Sequence, residues 1–144
     1  MRNQILIDTG PLVASINRRD RFHSWARESL GVIRPPMLTC EAVLAETCFL
    51  LQNIPGGNTA VLQMIEREIL LIDFQVSTHL KSVRALMEKY SGVPMSLADA
   101  SLVKMAELHE DSVVMTLDGD FHIYRRHGRQ TIPLLMPPDT SKLA

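Results

Sequence analysis

The sequence predicts one α/β domain spanning residues 1–144, a three-layer α/β/α sandwich around a parallel sheet. Three observations predict it. Short apolar runs at Ile5–Ile7, Met37–Leu38, Ile69–Ile72, Val113–Thr116 and Ile132–Leu135 alternate with longer segments whose apolar residues recur at helical spacing. The runs are apolar almost throughout, as parallel strands covered by helices on both faces are. Acids stand at run ends: Asp8 directly follows the first, and Asp118 and Asp120 follow the fourth. An ionised carboxylate beside a buried strand is costly to desolvate unless it is paired or metal-bound. In open α/β sheets, sites form at the carboxyl ends of strands, where strand order reverses.

Size and composition narrow the classes. A chain of 144 residues with 46% hydrophobic and 22% charged residues is globular and long enough for one substantial core. A net charge of -1 gives no general electrostatic argument for nucleic acid or anionic membrane, leaving only local patches. No apolar run approaches the roughly 18 residues of a membrane span. The first residues lack the basic segment and long apolar core of a secretory signal. Cys40 and Cys48 fall in one predicted helix, about 12 Å apart at ~1.5 Å per residue, too far for a disulfide. These features predict a soluble protein of the reducing cytoplasm.

Each element has its local reason. Pro11 opens a helix whose apolar face carries Leu12, Val13 and Ile16; Arg18 to Arg21 break it. A second short helix runs from Phe22 to Leu30, closed by Gly31, and Pro35-Pro36 is a loop. Thr39 caps a largely apolar helix to about Asn53, with Glu41 in its first turn and Glu46 in its middle. Pro55-Gly56-Gly57 ends it, and Asn58 or Thr59 caps the next, to about Glu68. Ser77 caps a helix through Tyr90, with Leu80, Val83, Leu86 and Met87 on one face. Ser96 to Asp99 has the spacing of a capping box, opening a helix through Leu108. A short turn or helix carries Tyr124 to Gly128. Pro133 places the last strand at a sheet edge, and the tail from Pro137 is expected to fray.

Taken singly, the acids have ordinary explanations. Asp8 can cap the helix after it, Asp99 can serve a helix dipole, Glu46 can sit on a solvated face, and Asp118-Gly119-Asp120 is a common turn. Their joint placement says more. If the first and fourth strands are neighbours, their acids converge, and gathered carboxylates cannot all stay ionised in a dry site. A hard divalent cation resolves the repulsion; all-oxygen ligands suit Mg²⁺ or Mn²⁺, which can activate water against a phosphodiester.

Four segments in order resemble the PIN domain superfamily, and within it the VapC-type toxin ribonucleases. They are Ile7-Asp8-Thr9-Gly10-Pro11-Leu12-Val13-Ala14, Leu44-Ala45-Glu46-Thr47, Leu97-Ala98-Asp99-Ala100-Ser101-Leu102 and Thr116-Leu117-Asp118-Gly119-Asp120-Phe121. The resemblance implies about five parallel strands in the order 3-2-1-4-5, which sets the first beside the fourth. It implies a Mg²⁺- or Mn²⁺-dependent endoribonuclease whose acidic quartet is Asp8, Glu46, Asp99 and Asp118. Asp120 matches a further acid of some members, and the Thr116 hydroxyl a position that orients the acids. The mechanism implied is in-line attack by metal-activated water, leaving a 5′-phosphate and a 3′-hydroxyl. A homodimer and a small cognate antitoxin are also implied.

Phosphate contacts need cations. Arg18, Arg19 and Arg21 form one candidate cluster, and Arg125, Arg126 and Arg129 another; each can equally be a solvated face. Trp25 can stack bases or pack in the core, and a surface or capping role is expected of His23. The histidines form no acid–base pair, which favours metal catalysis over a histidine ribonuclease. Two other classes compete. A PIN-like scaffold that binds RNA or protein without cutting would be marked by lost acids, and all are present. A phosphotransfer domain is disfavoured because Gly10 stands where a dehalogenase-type phosphatase needs a second Asp, and nothing near Asp73 supports a receiver.

Overall fold

A computed structural model describes residues 4–138. The elements are β1 (Gln4–Ile7), α1 (Thr9–Ile16), α2 (His23–Val32), β2 (Met37–Thr39), α3 (Glu41–Leu50), α4 (Gly57–Glu66), β3 (Leu70–Ile72), α5 (Leu80–Lys89), α6 (Leu97–Leu108), β4 (Ser112–Met115), β5 (Arg125–Arg126), β6 (Gln130–Thr131) and β7 (Leu134–Leu135). The main sheet is parallel, flanked by helices, with strand order β3-β2-β1-β4-β7. This is the expected order, since β7 is the fifth strand of that sheet. The label shifts because β5 and β6 form a separate antiparallel hairpin where a short turn or helix was expected. Two-residue strands are too short to show an apolar period, so the hairpin left no pattern to read.

Register is what builds the site. Ile5, Leu6 and Ile7 stand opposite Val113, Val114 and Met115. The ladder continues one step, with the Asp8 amide donating to the Met115 carbonyl at 2.9 Å. Asp8 and Thr116 therefore leave the sheet side by side. Leu6, Ile7, Leu102, Met105, Val114 and Met115 are fully buried between sheet and helices, fixing the height of both strand ends.

Several helix boundaries differ from expectation. α1 begins at Thr9 with Asp8 as its cap, so Pro11 is third in the helix; a missing N–H does no harm anywhere in the first turn. Gly31 lies inside α2, which ends at Val32. Thr39 ends β2 and its hydroxyl donates to the Ile7 carbonyl at 2.9 Å, tying β2 to β1; Cys40 stands at the cap of α3. Gly56, at φ 73°, precedes α4, so Asn58 and Thr59 fall within that helix. Ser77 lies in a 3₁₀ turn ahead of α5. Ser96 caps α6 as expected, with its hydroxyl accepting from the Asp99 amide at 3.0 Å and Asp99 Oδ2 accepting from the Ser96 amide at 3.2 Å. β7 lies at the sheet edge, with Pro133 just outside it, while residues 139–144 of the tail fall outside those described. Cys40 and Cys48 are unpaired, and among the described residues no helix is long and apolar enough to cross a membrane.

Candidate active site

Asp8, Glu46, Asp99 and Asp118 line one cleft of ≈ 260 Å³ at the carboxyl ends of β1 and β4. Each comes from a different element. Asp8 ends β1 and caps α1. Glu46 is in the second turn of α3. Asp99 is in the first turn of α6. Asp118 opens the 3₁₀ turn Gly119–His122. Gly10, Leu50 and Leu117 complete the walls. A Cβ on Gly10 would stand 3.1 Å from the Leu117 side chain, so glycine lets α1 and the β4 loop close around the acids. Larger hollows open elsewhere, ≈ 750 Å³ beside α5 and ≈ 380 Å³ between α1, α2 and α4, but neither gathers carboxylates.

Donors from the protein fix the acids. Asp8, only 7% exposed, accepts from the Thr9 amide at 2.8 Å through Oδ1 and from the Thr116 hydroxyl at 2.7 Å through Oδ2. The Thr116 oxygen in turn accepts from the Asp118 amide at 3.0 Å, so one hydroxyl couples two acids. Asp118 Oδ1 accepts from the Asp120 amide at 2.9 Å. Asp120 does not line the cleft; it sits in the adjoining turn. Asp99 Oδ2 also accepts from the Tyr124 hydroxyl at 3.2 Å, a contact the sequence did not reveal. Its only signal is a tyrosine near the acid motif, since a buried Tyr O–H usually finds a partner.

The cleft resists its own charge. Burial pushes the Asp8 carboxyl up to about 6, and the charges of Asp99 and Glu46 add to the effect against the Thr116 and Thr9 hydrogen bonds. Asp99 is raised first by burial, with Asp118 adding to it. Glu46, the most open of the four, is raised by partial desolvation and by Asp99 and Asp118. Glu46 is nonetheless part of the cleft lining. Among the described residues no lysine or arginine pairs with any of these four acids.

The candidate cations lie apart from the cleft. Arg18 and Arg19 are exposed beyond the far end of α1, about 12 Å of helix from Asp8. Arg21 lies over the Phe22 ring at 5.0 Å. The Arg125 guanidinium donates to the carbonyls of His122, Ile123 and Tyr124. Arg126 donates to the carbonyls of Ala106 and Glu110 at 3.3 and 3.1 Å, at the opposite end of α6 from Asp99. Arg129 is exposed on the hairpin loop. Trp25 packs half-buried against the core, and His23 Nδ1 lies 2.7 Å from the Ala14 carbonyl, joining α2 to α1.

A PIN domain profile matches residues 5–126, which include all four acids. The chain belongs to the PIN domain family. The fold is also that of Mycobacterium tuberculosis VapC20, a toxin that cleaves the sarcin–ricin loop: the TM-score is 0.70 at 21% identity, over 81% of this chain and 92% of that one. A comparison with curated proteins found no match.

The donor set of this PIN domain fits a hard divalent cation. It offers carboxylate oxygens, those of Asp8, Glu46 and Asp99 with raised proton affinities, and among the described residues no lysine or arginine is paired with them. Among the described residues no three such side chains are drawn into a closed ligand set. The Thr116 and Thr9 donors hold Asp8, and the Ser96 donor holds Asp99, at the cleft.

Proposed function

We propose that this PIN domain is a Mg²⁺- or Mn²⁺-dependent endoribonuclease, the toxin of a toxin–antitoxin pair, working in the cytoplasm. The observation that carries the reading is the convergence of Asp8, Glu46, Asp99 and Asp118 in one cleft with no protein cation among them. The RNA substrate and toxin role are supported by the fold shared with VapC20. Bound there, the metal would lower the pKa of a water and offset charge on the scissile phosphate.

The chain's own residues prepare the place. Asp8, Asp99 and Asp118 would hold the cation, with Glu46 opposite and Asp120 supporting from the adjoining turn. Thr116 keeps Asp8 and Asp118 in step. Exposed Arg18 and Arg19 lie too far along α1 for the scissile phosphate and would meet flanking phosphates of a longer RNA. Val32, Phe49 and Leu80 are large, apolar and exposed on three helices, which supports protein partners: a second copy of the chain and an antitoxin.

The test is cleavage of structured and unstructured RNA with and without Mg²⁺ or Mn²⁺, beside Asp8→Asn. Cleavage is expected only with metal and only by the wild type, leaving 5′-phosphate ends. Equal cleavage by the Asp8→Asn protein would overturn the assignment. Growth arrest on expression, relieved by a small protein encoded next to this chain, tests the toxin role. Sedimentation at micromolar concentration tests the dimer.

A further inference from the structure

Three of the four carboxylates draw their donors from close at hand: Asp8 from Thr9 and from Thr116 on the neighbouring strand, Asp118 from the next turn, Asp99 from the Ser96 cap. Asp99 alone has a donor from outside the strand ends and helix caps. That donor is the Tyr124 hydroxyl, 3.2 Å from Oδ2. Tyr124 is fully buried, and its ring meets Phe121 and Tyr90 edge-on, each at 5.1 Å between centroids. The Tyr90 hydroxyl accepts from the Arg125 amide at 3.0 Å, which anchors the chain immediately after Tyr124. A side chain with two torsions, clamped by rings on two sides and by its own backbone, aims its hydroxyl with little freedom.

Asp99 needs that aim. Its Oδ2 already serves the capping box of α6, an interaction the helix would make for its own stability. A cap alone leaves the carboxyl plane free to turn about its terminal torsion, which is broad. A second donor on the same oxygen fixes the plane and leaves Oδ1 for the cleft that Asp99 lines. We propose that Tyr124 is a positioning residue for Asp99, its buried hydroxyl locking the carboxylate so that the other oxygen faces the cation. The inference rests on the metal-dependent reading above and names a residue of the same site that touches neither metal nor RNA. Outer partners of this kind typically change metal affinity or activity by 10–100-fold.

The experiment is Tyr124→Phe in the full chain, which keeps the ring packing and removes only the hydroxyl. Mn²⁺ affinity is read directly by calorimetry, and melting temperature is read with and without Mn²⁺. The expected result is a roughly tenfold or greater loss of Mn²⁺ affinity, a smaller Mn²⁺-induced rise in melting temperature, and a metal-free melting temperature near that of the wild type. Tyr90→Phe is the control: it removes a hydroxyl from the same ring cluster but leaves the Tyr124 donor on Asp99 in place, so its loss of Mn²⁺ affinity should be clearly smaller than that of Tyr124→Phe. Adding Tyr124→Phe to Asp99→Asn should cause no further loss, because the tyrosine acts through that acid. Wild-type Mn²⁺ affinity in Tyr124→Phe, or equal losses in Tyr90→Phe, overturns the inference and leaves the ribonuclease reading standing. A wild type that neither binds Mn²⁺ nor cuts RNA overturns both.

Discussion

The two ends of α6 lie about 18 Å apart along 12 residues and meet charge in opposite ways. At the C-terminal end, Arg126 donates to the carbonyls of Ala106 and Glu110, Lys104 pairs with Glu107 at 3.4 Å, and Glu107 accepts from the His127 amide at 2.7 Å. Positive charge complements the exposed carbonyls there, and Glu107 has Lys104 as its opposite. At the N-terminal end, Asp99 also complements the helix dipole, but its neighbours are three more carboxylates and no cation. One helix thus carries a closed electrostatic arrangement and an open one. The difference is one of balance: the C-terminal end sets opposite charges together, while the N-terminal end gathers like charges, the kind of perturbed cluster that marks a candidate functional site.

The contrast is broken most sharply at the open end. Asp99→Asn keeps the size and the cap geometry but removes charge, and should lower metal-dependent RNA cleavage by about 1,000-fold or more. Circular dichroism should stay unchanged. Cleavage within tenfold of the wild type would mean that the acids of α6 belong to the fold alone.

Next in size is a stability effect with a pH signature. The folded chain raises Asp8 from 3.8 to about 6, so the folded state binds that proton more tightly than the unfolded state does. Stability is therefore greatest below 3.8, falls as pH rises toward about 6, and is flat above. In EDTA, Asp8→Asn should stabilise the protein by about 1–3 kcal/mol at pH 7.5, an advantage that shrinks to nothing near pH 4. Urea titrations at both values measure it. A destabilised Asp8→Asn at pH 7.5 would show that the Thr116 and Thr9 hydrogen bonds outweigh burial.

The smallest effect belongs to the closed end. Arg126→Met keeps the stem and removes two hydrogen bonds to carbonyls, for a loss of about 1–2 kcal/mol. Cleavage should remain within about twofold, because Arg126 lies against the opposite end of α6 from Asp99 and shares no partner with the acids. Thermal melts and initial rates on one RNA are enough. A large loss of activity at full stability would return Arg126 to the substrate.

Much of the site was legible because its residues break local patterns. Asp8 ends an apolar strand, Asp99 stands at the third position of a capping box, and Asp118 follows an apolar strand, so each is visible within its own few residues. Glu46 was visible as an acid within a largely apolar helix. The arginine clusters were equally visible, yet adjacency in sequence to an acid motif does not give adjacency in space. A helix of eight residues carries Arg18 away from Asp8, and the β5–β6 hairpin lays Arg126 against the far end of α6. The helix starts at α3 and α4 were misjudged because Thr39 found a cross-strand carbonyl and Gly56 a left-handed turn.

The sequence by itself determined the alternation of strands and helices, the parallel sheet and the four acids, because periodicity and the cost of a buried charge act over a few residues. Only the tertiary structure decided that Thr116 bridges Asp8 and Asp118, that Tyr124 reaches Asp99 across 25 residues, and that Arg126 lies against the far end of α6. Those outcomes depend on strand register and on the path of a short hairpin. Both are set by packing between distant segments, and neither leaves a local mark in the chain.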